Sequence, residues 1–348
     1  MIDNLIIKNY KSIKNIKVDT KRINIFIGEH NSGKSNILEA LSWFSINSFD
    51  KKVFPEIFRF KNATNFFYDF ETSVPIEVKS NDLSLMIKYA TNKFGALNNQ
   101  LQGIIYSSDS TIDPNKEDDW YEIGNKYRDK NHCVFNLFFD GSSEVISENL
   151  KSPFRTYIFK SLKKFESNFR NFLNPPFGEN IPALLLSNKK YKEMVSAIFK
   201  AKDFRLMLKP TEDDIDMAKD VNDELYSYPY NSISETLQRI IFYSLVIETN
   251  KNATIILDEP ESNTFPMYTK QLAEMIALDK SNQYFIVTHD PYMLNSIVSK
   301  AAKKDLSVFI TKMQDYKTIV SKVETDDLSK ILDKGIDIYF NLNKLISE

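Results

Sequence analysis

The chain has 348 residues, enough for one large domain or two smaller ones with a substantial buried core. Its hydrophobic share of 42% and charged share of 26% indicate a globular protein, and its net charge of −2 gives no sign of a globally basic nucleic-acid binder. A single cysteine excludes an internal disulfide, and with only three histidines no Cys/His cluster suits structural zinc.

The first 45 residues predict a strand, a glycine-containing loop and a helix. The apolar run INIFI at residues 23–27 is typical of a buried strand. After Ser35, apolar residues recur at helical spacing, at Ile37, Leu38, Leu41 and Phe44. We therefore expect a helix that begins at the loop and leaves free backbone amides at residues 33–36.

The middle of the chain has a weaker pattern. Residues 76–78 and 83–89 predict paired strands, and Asn, Asp and Ser are frequent from there to about residue 150. Apolar residues at 154, 158, 162 and 165 predict an amphipathic helix, and a further helix is predicted near Tyr191. We therefore expect residues 90–225 to form an inserted, α-rich lobe between two parts of one core, residues 1–89 and 226–348.

The last third alternates strands and helices. TIIL precedes Asp258, YFIV precedes Thr288, and helices are predicted after each strand. This order is typical of a parallel α/β sheet. Heptads and internal repeats are absent, and no apolar run is long enough for a membrane span, so we expect a cytoplasmic protein without a membrane contact.

The segment GEHNSGKS at residues 28–35 matches the phosphate-loop pattern GxxxxGK[ST]. In this pattern the glycines let backbone amides surround phosphates, Lys34 reaches the outer phosphates, and the Ser35 hydroxyl binds Mg²⁺. The alternative is an incidental turn between a strand and a helix. The match predicts a nucleoside triphosphate and Mg²⁺ as ligands.

Acidic residues follow the strand of the segment ATIILDEPE. Asp258 would hold Mg²⁺ through water, and Glu259 would orient or deprotonate the attacking water. An acidic pair is common where any strand ends, so this interpretation depends on the phosphate loop. Taken together, the two motifs predict nucleotide hydrolysis.

Two further residues fit the same chemistry less specifically. His289 follows the strand YFIV, at the sheet edge where ligands bind, and would sense the γ-phosphate. Its alternative role is a surface helix cap. Ser234 opens the helix of NSISETLQR, and by its residues alone it is an N-cap serine.

In this order the motifs resemble those of the RecF/SMC-like branch of ABC ATPases, in particular compact bacterial AAA-family ATPases that share their core with OLD-family defence proteins. The resemblance covers residues 1–45 and 228–300. It lies in the segments LIIKNYKSIKNI, GEHNSGKSN, SISETLQRIIFY, LDEPESNTFP and THDPYML.

The resemblance implies a P-loop NTPase of ABC type with a mixed, mainly parallel sheet, and ATP and Mg²⁺ as cofactors. Ser35 and Asp258 would bind the metal, Glu259 would be the catalytic base, and His289 would be the γ-phosphate switch. Ser234 would contact ATP bound by a partner subunit. The remaining nucleotide-binding residues would be Gly28, Asn31, Ser32, Gly33, Lys34 and Asn36.

Some positions depart from the family pattern. Glu235 and Thr236 replace the signature glycines, and TFP at residues 264–266 replaces the usual LHP. A carboxylate at Glu235 would lie near the partner's triphosphate. The glutamine that contacts the nucleotide in relatives has no clear equivalent here, because Gln100 and Gln102 lie in a segment whose secondary structure the sequence does not predict clearly.

Three functions remain open from the sequence. The first is an ATP-hydrolysing switch that forms a homodimer or higher oligomer with shared ATP sites, and acts on DNA or on a separately encoded effector, such as a nuclease or toxin in phage defence. The second is a scaffold that binds ATP with little turnover. The third is a DNA-processing enzyme that uses the inserted lobe. The segment after His289 is too short for the Toprim nuclease of OLD proteins.

Other candidate sites have simpler interpretations. Asp214 and Asp216 predict a solvated acidic face. Glu77 lies at a spacing from other polar residues that does not suit a nuclease site. The aromatic and basic residues of 154–165 could bind nucleic acid, but a core helix with a basic outer face explains them as well. Cys133 is predicted to be a small buried residue.

Overall fold

The computed structural model describes residues 1–48, 53–91, 97–116, 120, 123, 126–127, 129–138, 143–166, 170–324 and 339. The strands are β1 (Asn4–Tyr10), β2 (Ile13–Asp19), β3 (Ile23–Gly28), β4 (Ile76–Ser80), β5 (Leu83–Thr91), β6 (Leu97–Ser107), β7 (His132–Phe138), β8 (Ser143–Glu148), β9 (Phe154–Tyr157), β10 (Arg205–Lys209), β11 (Asp214–Val221), β12 (Glu224–Pro229), β13 (Thr254–Asp258), β14 (Gln283–Val287), β15 (Leu306–Gln314) and β16 (Lys317–Val323). The α-helices are α1 (Lys34–Ser42), α2 (Phe54–Ile57), α3 (Ile181–Ser187), α4 (Lys189–Lys200), α5 (Glu235–Thr249), α6 (Pro266–Leu278) and α7 (Pro291–Lys300). Short 3₁₀ helices lie at Trp43–Ser48, Ala63–Phe66, Tyr68–Phe70, Tyr230–Ser232 and Lys303–Asp305.

A six-stranded sheet in the order β16-β15-β3-β14-β13-β9 forms the centre of the fold. Four of its strand pairs are parallel, and only β15 and β16 pair antiparallel. Its central strands β3 and β14 are buried along their whole length, as a parallel sheet covered on both faces requires. This confirms the predicted α/β fold with a mixed, mainly parallel sheet.

Strand register brings the ends of three strands to one edge of this sheet. Val287 pairs with Phe26 of β3 and with Asp258 of β13. The phosphate loop, the acidic pair and the residues after β14 therefore begin side by side. In open parallel sheets this edge is where ligands bind.

Helix α1 lies between the parallel sheet and a second, seven-stranded antiparallel sheet in the order β2-β1-β4-β5-β6-β7-β8. Ile37 and Leu41 of α1 belong to one buried cluster with Ile7 of β1 and with Phe26 and Phe285 of the parallel sheet. Each sheet thus covers part of the same helix. This double cover fixes the helix that begins at the phosphate loop.

The opposite face of the parallel sheet is covered by α5, α6 and α7. Ile241, Ala273 and Ile297 of these helices belong to a second buried cluster, together with Ile25 and Ile255 of the sheet. A three-stranded sheet, β10-β11-β12, leads into α5. No helix in the described part of the chain is long and apolar enough to cross a membrane.

The prediction that residues 90–225 are mostly helical is wrong for the residues that the structure describes. Six strands, β6 to β11, lie in this range, compared with two helices, α3 and α4. Residues 154–157 form β9 instead of a helix, and β9 pairs in parallel with β13, where Phe154 lies beside Thr254. Burial between sheet neighbours outweighs the helical spacing of the apolar residues. The helix predicted near Tyr191 is confirmed as α4.

Candidate functional site

Two glycines shape the loop between β3 and α1. Gly28 has φ 152° and Gly33 has φ 91°, a backbone region that favours glycine. A Cβ atom on Gly28 would lie 2.2 Å from the Thr311 carbonyl oxygen, and one on Gly33 would lie 1.9 Å from Thr318 Oγ1. Both positions therefore require glycine, for conformation and for space.

Lys34 is held inside this loop. Its Nζ atom donates hydrogen bonds to the carbonyl oxygens of Gly28 at 2.9 Å and Glu29 at 2.6 Å. Burial lowers the pKa of Lys34, and the carboxylates of Glu259 and Asp258 act in the opposite direction. The arrangement gives a buried ammonium beside two acids.

A cleft of about 340 Å³ lies over the loop. Its lining includes six of the predicted nucleotide-binding residues: Asn31, Ser32, Gly33, Lys34, Ser35 and Asn36. Gly33 is the N-cap of α1 and offers no side-chain cap, so the first turn of this helix presents backbone amides to the cleft. Helix N-termini of this kind bind phosphate groups.

Ser35 and Asp258 face each other where the helix meets the acidic strand end. Ser35 Oγ donates a hydrogen bond to Asp258 Oδ1 at 3.3 Å. Although Asp258 is exposed to solvent, surrounding protein atoms desolvate its carboxyl group and raise its pKa, and the Ser35 bond acts against this shift.

This oxygen pair fits Mg²⁺. A hydroxyl and a carboxylate are hard oxygen ligands, and Mg²⁺ at phosphate sites takes one or two protein ligands together with phosphate oxygens and water. Among the described residues there is no cluster of three or more His, Cys, Asp or Glu for an all-protein metal cage. The donor set thus suits a metal that arrives with a triphosphate.

Glu259 and His289 meet at the same cleft. His289 Nε2 lies 3.3 Å from Glu259 Oε1, and the His289 ring stacks on the ring of His30 with centroids 4.9 Å apart. Burial lowers the pKa of His289, as does the nearby positive charge of Lys34. The lowered pKa favours the neutral imidazole, which can donate a hydrogen bond from Nε2–H to the carboxylate.

Sequence reasoning missed Glu261. Its carboxyl group is buried, and Oε1 accepts hydrogen bonds from the Thr288 hydroxyl and, at 3.2 Å, from the His289 backbone N–H. Burial raises the pKa of Glu261 to about 7. In the sequence Glu261 is visible only as the third acid of DEPE. Nothing in that motif indicates that it contacts Thr288, 27 residues further along the chain.

Sequence reasoning also missed Arg59, which lines the cleft and an adjoining cavity of about 230 Å³ beside Asp258. Its Nε lies 3.5 Å from the buried carboxylate of Glu39, which also pairs with Lys11. Gln100 and Gln102 lie on β6 of the antiparallel sheet, and neither is among the residues that line the cleft.

Ser234 is the N-cap of α5, where its side chain accepts a hydrogen bond from the Leu237 backbone N–H. It does not line the cleft of its own chain, but borders a separate groove of about 480 Å³. The Glu235 carboxylate is bound by Arg239 at 2.8 Å and by Asn263 at 3.4 Å. The Arg239 bond lowers the pKa of Glu235, so its charge is matched within the chain.

Other candidates have structural roles. Asp216 is buried on β11 and pairs with Lys209 at 2.7 Å, so the prediction of a solvated acidic face is wrong at this position. Glu77 forms ion pairs with Lys8 and Lys79. Cys133 is buried, as predicted.

A solved structure of an SMC head has a similar fold. The SMC head described as bound to the C-winged helix domain of ScpA aligns with 95% of this chain and 99% of its own, with a TM-score of 0.51 and 16% identity. Another SMC head, with an extended coiled coil and bound to the C-terminal domain of ScpA derived from Pyrococcus furiosus, gives a TM-score of 0.48 at 13% identity over 96% and 98% of the two chains. The fold and the phosphate loop together define a P-loop NTPase fold of the kind seen in this first SMC head.

The family model described as "AAA domain, putative AbiEii toxin, Type IV TA system" matches residues 23–295. The chain belongs to this family. A protein of Helicobacter pylori (strain ATCC 700392 / 26695), named ATP/GTP phosphatase, is 52% identical over 42 residues. That match spans 12% of this chain and only 11% of the relative.

Proposed function

We propose that the protein is an ATP-driven switch in which two chains share each ATP. One observation carries this proposal: Ser234 opens a long helix at an exposed position, yet lies outside the phosphate cleft of its own chain. A serine and helix N-terminus of this kind fit a phosphate, and a second chain would bring that phosphate. The internal pairing of Glu235 removes a free negative charge from this surface.

Several residues at the cleft would have separate tasks in the proposed reaction. The amides at the start of α1 and the Lys34 ammonium would bind the phosphates, and Ser35 and Asp258 would hold Mg²⁺. When bound, the metal would neutralise negative charge on the phosphates. The neutral His289 ring lies beside Glu259 and can contact the γ-phosphate.

Glu259 acts as the base for the attacking water. A carboxylate oxygen accepts one water proton while the water oxygen bonds to the γ-phosphorus, and the bond to the ADP oxygen breaks. ADP and phosphate are the products. Their release would separate the two chains, because the phosphate shared with Ser234 is lost.

The switch would act on a separately encoded effector protein or on DNA. The effector is supported by the family description, which mentions a toxin, and by the SMC head that was solved with a domain of a separate protein, ScpA, bound to it. A role in phage defence, as in OLD-like proteins, is part of this proposal. Stimulation of ATP hydrolysis by DNA or by co-purified protein would distinguish the two targets.

Light scattering tests the shared site directly. With ATPγS and Mg²⁺ the wild type should have twice the mass that it has with ADP. Ser234→Arg should remain at the smaller mass with either nucleotide. Ser299→Arg is the matched control, because Ser299 is exposed on the last turn of α7, far along that helix from His289, and should dimerise normally. A wild type with the same mass in ATPγS and in ADP would overturn the proposal.

A further inference from the structure

Glu261 is a buried acid that the proposed reaction does not use. Its exposed fraction is 7%, and among the described residues its Oε2 atom has no hydrogen-bond partner. Burial of an unpaired carboxyl oxygen is costly, and natural folds keep few such groups. The raised pKa of this group, about 7, reflects the same cost.

Its other carboxyl oxygen joins two segments of the site. Oε1 accepts from the Thr288 hydroxyl and from the His289 backbone N–H. The Thr288 hydroxyl oxygen in turn accepts a hydrogen bond from the Asp290 backbone N–H at 3.0 Å. One carboxyl group therefore fixes the backbone on both sides of the His289 side chain.

The same two segments also meet at the reacting side chains. The Glu259 backbone N–H donates to the Val287 carbonyl oxygen at 3.0 Å, and its carboxylate lies 3.3 Å from His289 Nε2. This last contact is between partly exposed groups, so it cannot by itself hold the ring firmly. A buried anchor beneath the histidine would supply the missing constraint.

We propose that Glu261 is a positioning residue that acts through His289. Its carboxyl oxygen holds the His289 backbone so that the imidazole stays at Glu259 and at the γ-phosphate. Without this acceptor the His289 N–H loses its bond and the turn at residues 288–290 loosens. ATP binding depends on the phosphate loop and would not change, whereas the hydrolytic step would slow.

The inference rests on the proposed role of His289, so the experiment is a double-mutant cycle in the full chain. The variants are Glu261→Ala, His289→Ala and the double variant, with kcat, KM and fluorescent ATP affinity as readouts. Glu261→Ala should lower kcat by about 10- to 100-fold, as expected for loss of a hydrogen bond to an ionisable group. The double variant should be no slower than His289→Ala, because one residue acts through the other.

A conservative variant and a control separate positioning from general damage. Glu261→Gln keeps an acceptor oxygen and should retain kcat within about fivefold of the wild type. Asp216→Asn changes another buried acid with an unpartnered oxygen, away from the cleft on β11, and should leave kcat unchanged. Melting temperatures would show whether each variant is folded.

Each outcome has a distinct meaning. If His289→Ala keeps the wild-type kcat, the proposed role of His289 fails, and this inference fails with it. If His289→Ala is slow but Glu261→Ala is not, only the inference fails. Additive losses in the double variant, a Glu261→Gln variant as slow as Glu261→Ala, or an equal loss in Asp216→Asn would also overturn it.

Discussion

Replacement of Glu259 by glutamine removes the proposed base with little change of shape. The side chain is 45% exposed, and its contacts are His289 Nε2 at 3.3 Å and the Ser262 hydroxyl at 3.3 Å. Exposed contacts of this length contribute about 0 to 1 kcal/mol, so Glu259→Gln should unfold at almost the wild-type temperature. The backbone bond from Glu259 to Val287 is unaffected by the change.

Catalysis should respond far more strongly than stability. Loss of a positioned general base typically costs about 10²- to 10⁴-fold in rate. Steady-state phosphate release would measure kcat, and a fluorescent ATP analogue would show that affinity stays within about threefold of wild type, because the phosphate loop is intact. ATP-bound dimer should accumulate in the slow variant.

Glu29→Gln is the matched control. Glu29 is exposed in the phosphate loop, and its carboxylate also acts on the Lys34 ammonium, so the variant removes one negative charge at a similar place. Its kcat should stay within about threefold of wild type, because Glu29, unlike Glu259, is not among the residues that line the cleft. Glu259 is not the base if Glu259→Gln keeps more than a tenth of the wild-type kcat, or if Glu29→Gln is equally slow. Negligible turnover in the wild type would instead favour the scaffold.

Three further predictions follow from the structure. Gly33→Ala should abolish ATP binding and lower the melting temperature, because an alanine at this left-handed φ costs about 1 to 2 kcal/mol and its Cβ would clash with Thr318. The double variant Gly33→Ala with Thr318→Ala should recover part of the stability. A single variant as stable as the wild type would contradict the clash. Ser35→Ala should raise the Mg²⁺ concentration for half-maximal hydrolysis by about tenfold, and an unchanged Mg²⁺ titration would rule out this ligand. The third prediction concerns Glu179, because burial raises its pKa to about 7, above its value near 4.3 in the unfolded chain. Its contribution to stability is complete below pH 4.3 and is lost as the pH rises through 7. Denaturant unfolding should show that the free energy of unfolding of the wild type falls by an amount on the order of 2 kcal/mol from pH 5 to pH 8. Glu179→Gln should reduce this loss but not remove it, because Glu261 contributes with the same sign. The same pH dependence in the wild type and in Glu179→Gln would contradict the prediction.

The sequence was most informative where chemistry and local structure use the same residues. In the phosphate loop, Gly28 and Gly33 are required by backbone angles, and Lys34 and Ser35, which line the cleft, are the residues proposed to bind phosphate and metal. Each requirement is local, so a short motif reveals it. The buried runs that became β3, β13 and β14 were equally clear, because parallel strands are apolar on both faces.

Prediction failed where long-range pairing decides the structure. Residues 154–165 have apolar spacing that suits a helix, but β13 offers Phe154 and its neighbours a place in the parallel sheet. Strand preference depends on the neighbouring strand, which sequence spacing does not reveal. The predicted exposure of Asp216 is wrong for a similar reason, because its partner Lys209 lies on another strand.

The site residues that were missed also depend on distant partners. Glu261 gains its role from Thr288 and His289, and Arg59 gains its place from the buried Glu39. A carboxylate or guanidinium in a loop has no local feature that indicates these contacts. The structure was needed to bring the segments together.

A mixture of two inactive variants tests the shared ATP site most directly. Lys34→Ala removes the lysine proposed to bind phosphate. Ser234→Arg blocks the helix N-terminus that Ser234 would offer to ATP bound by a partner chain. If two chains share each ATP, only heterodimers contain an intact site, one of their two. About a quarter of all sites are intact if the chains pair at random, and about half if neither variant pairs with itself. We predict that the mixture recovers about a quarter to a half of the wild-type ATPase activity, whereas a mixture no more active than the separate variants would contradict a site built from two chains.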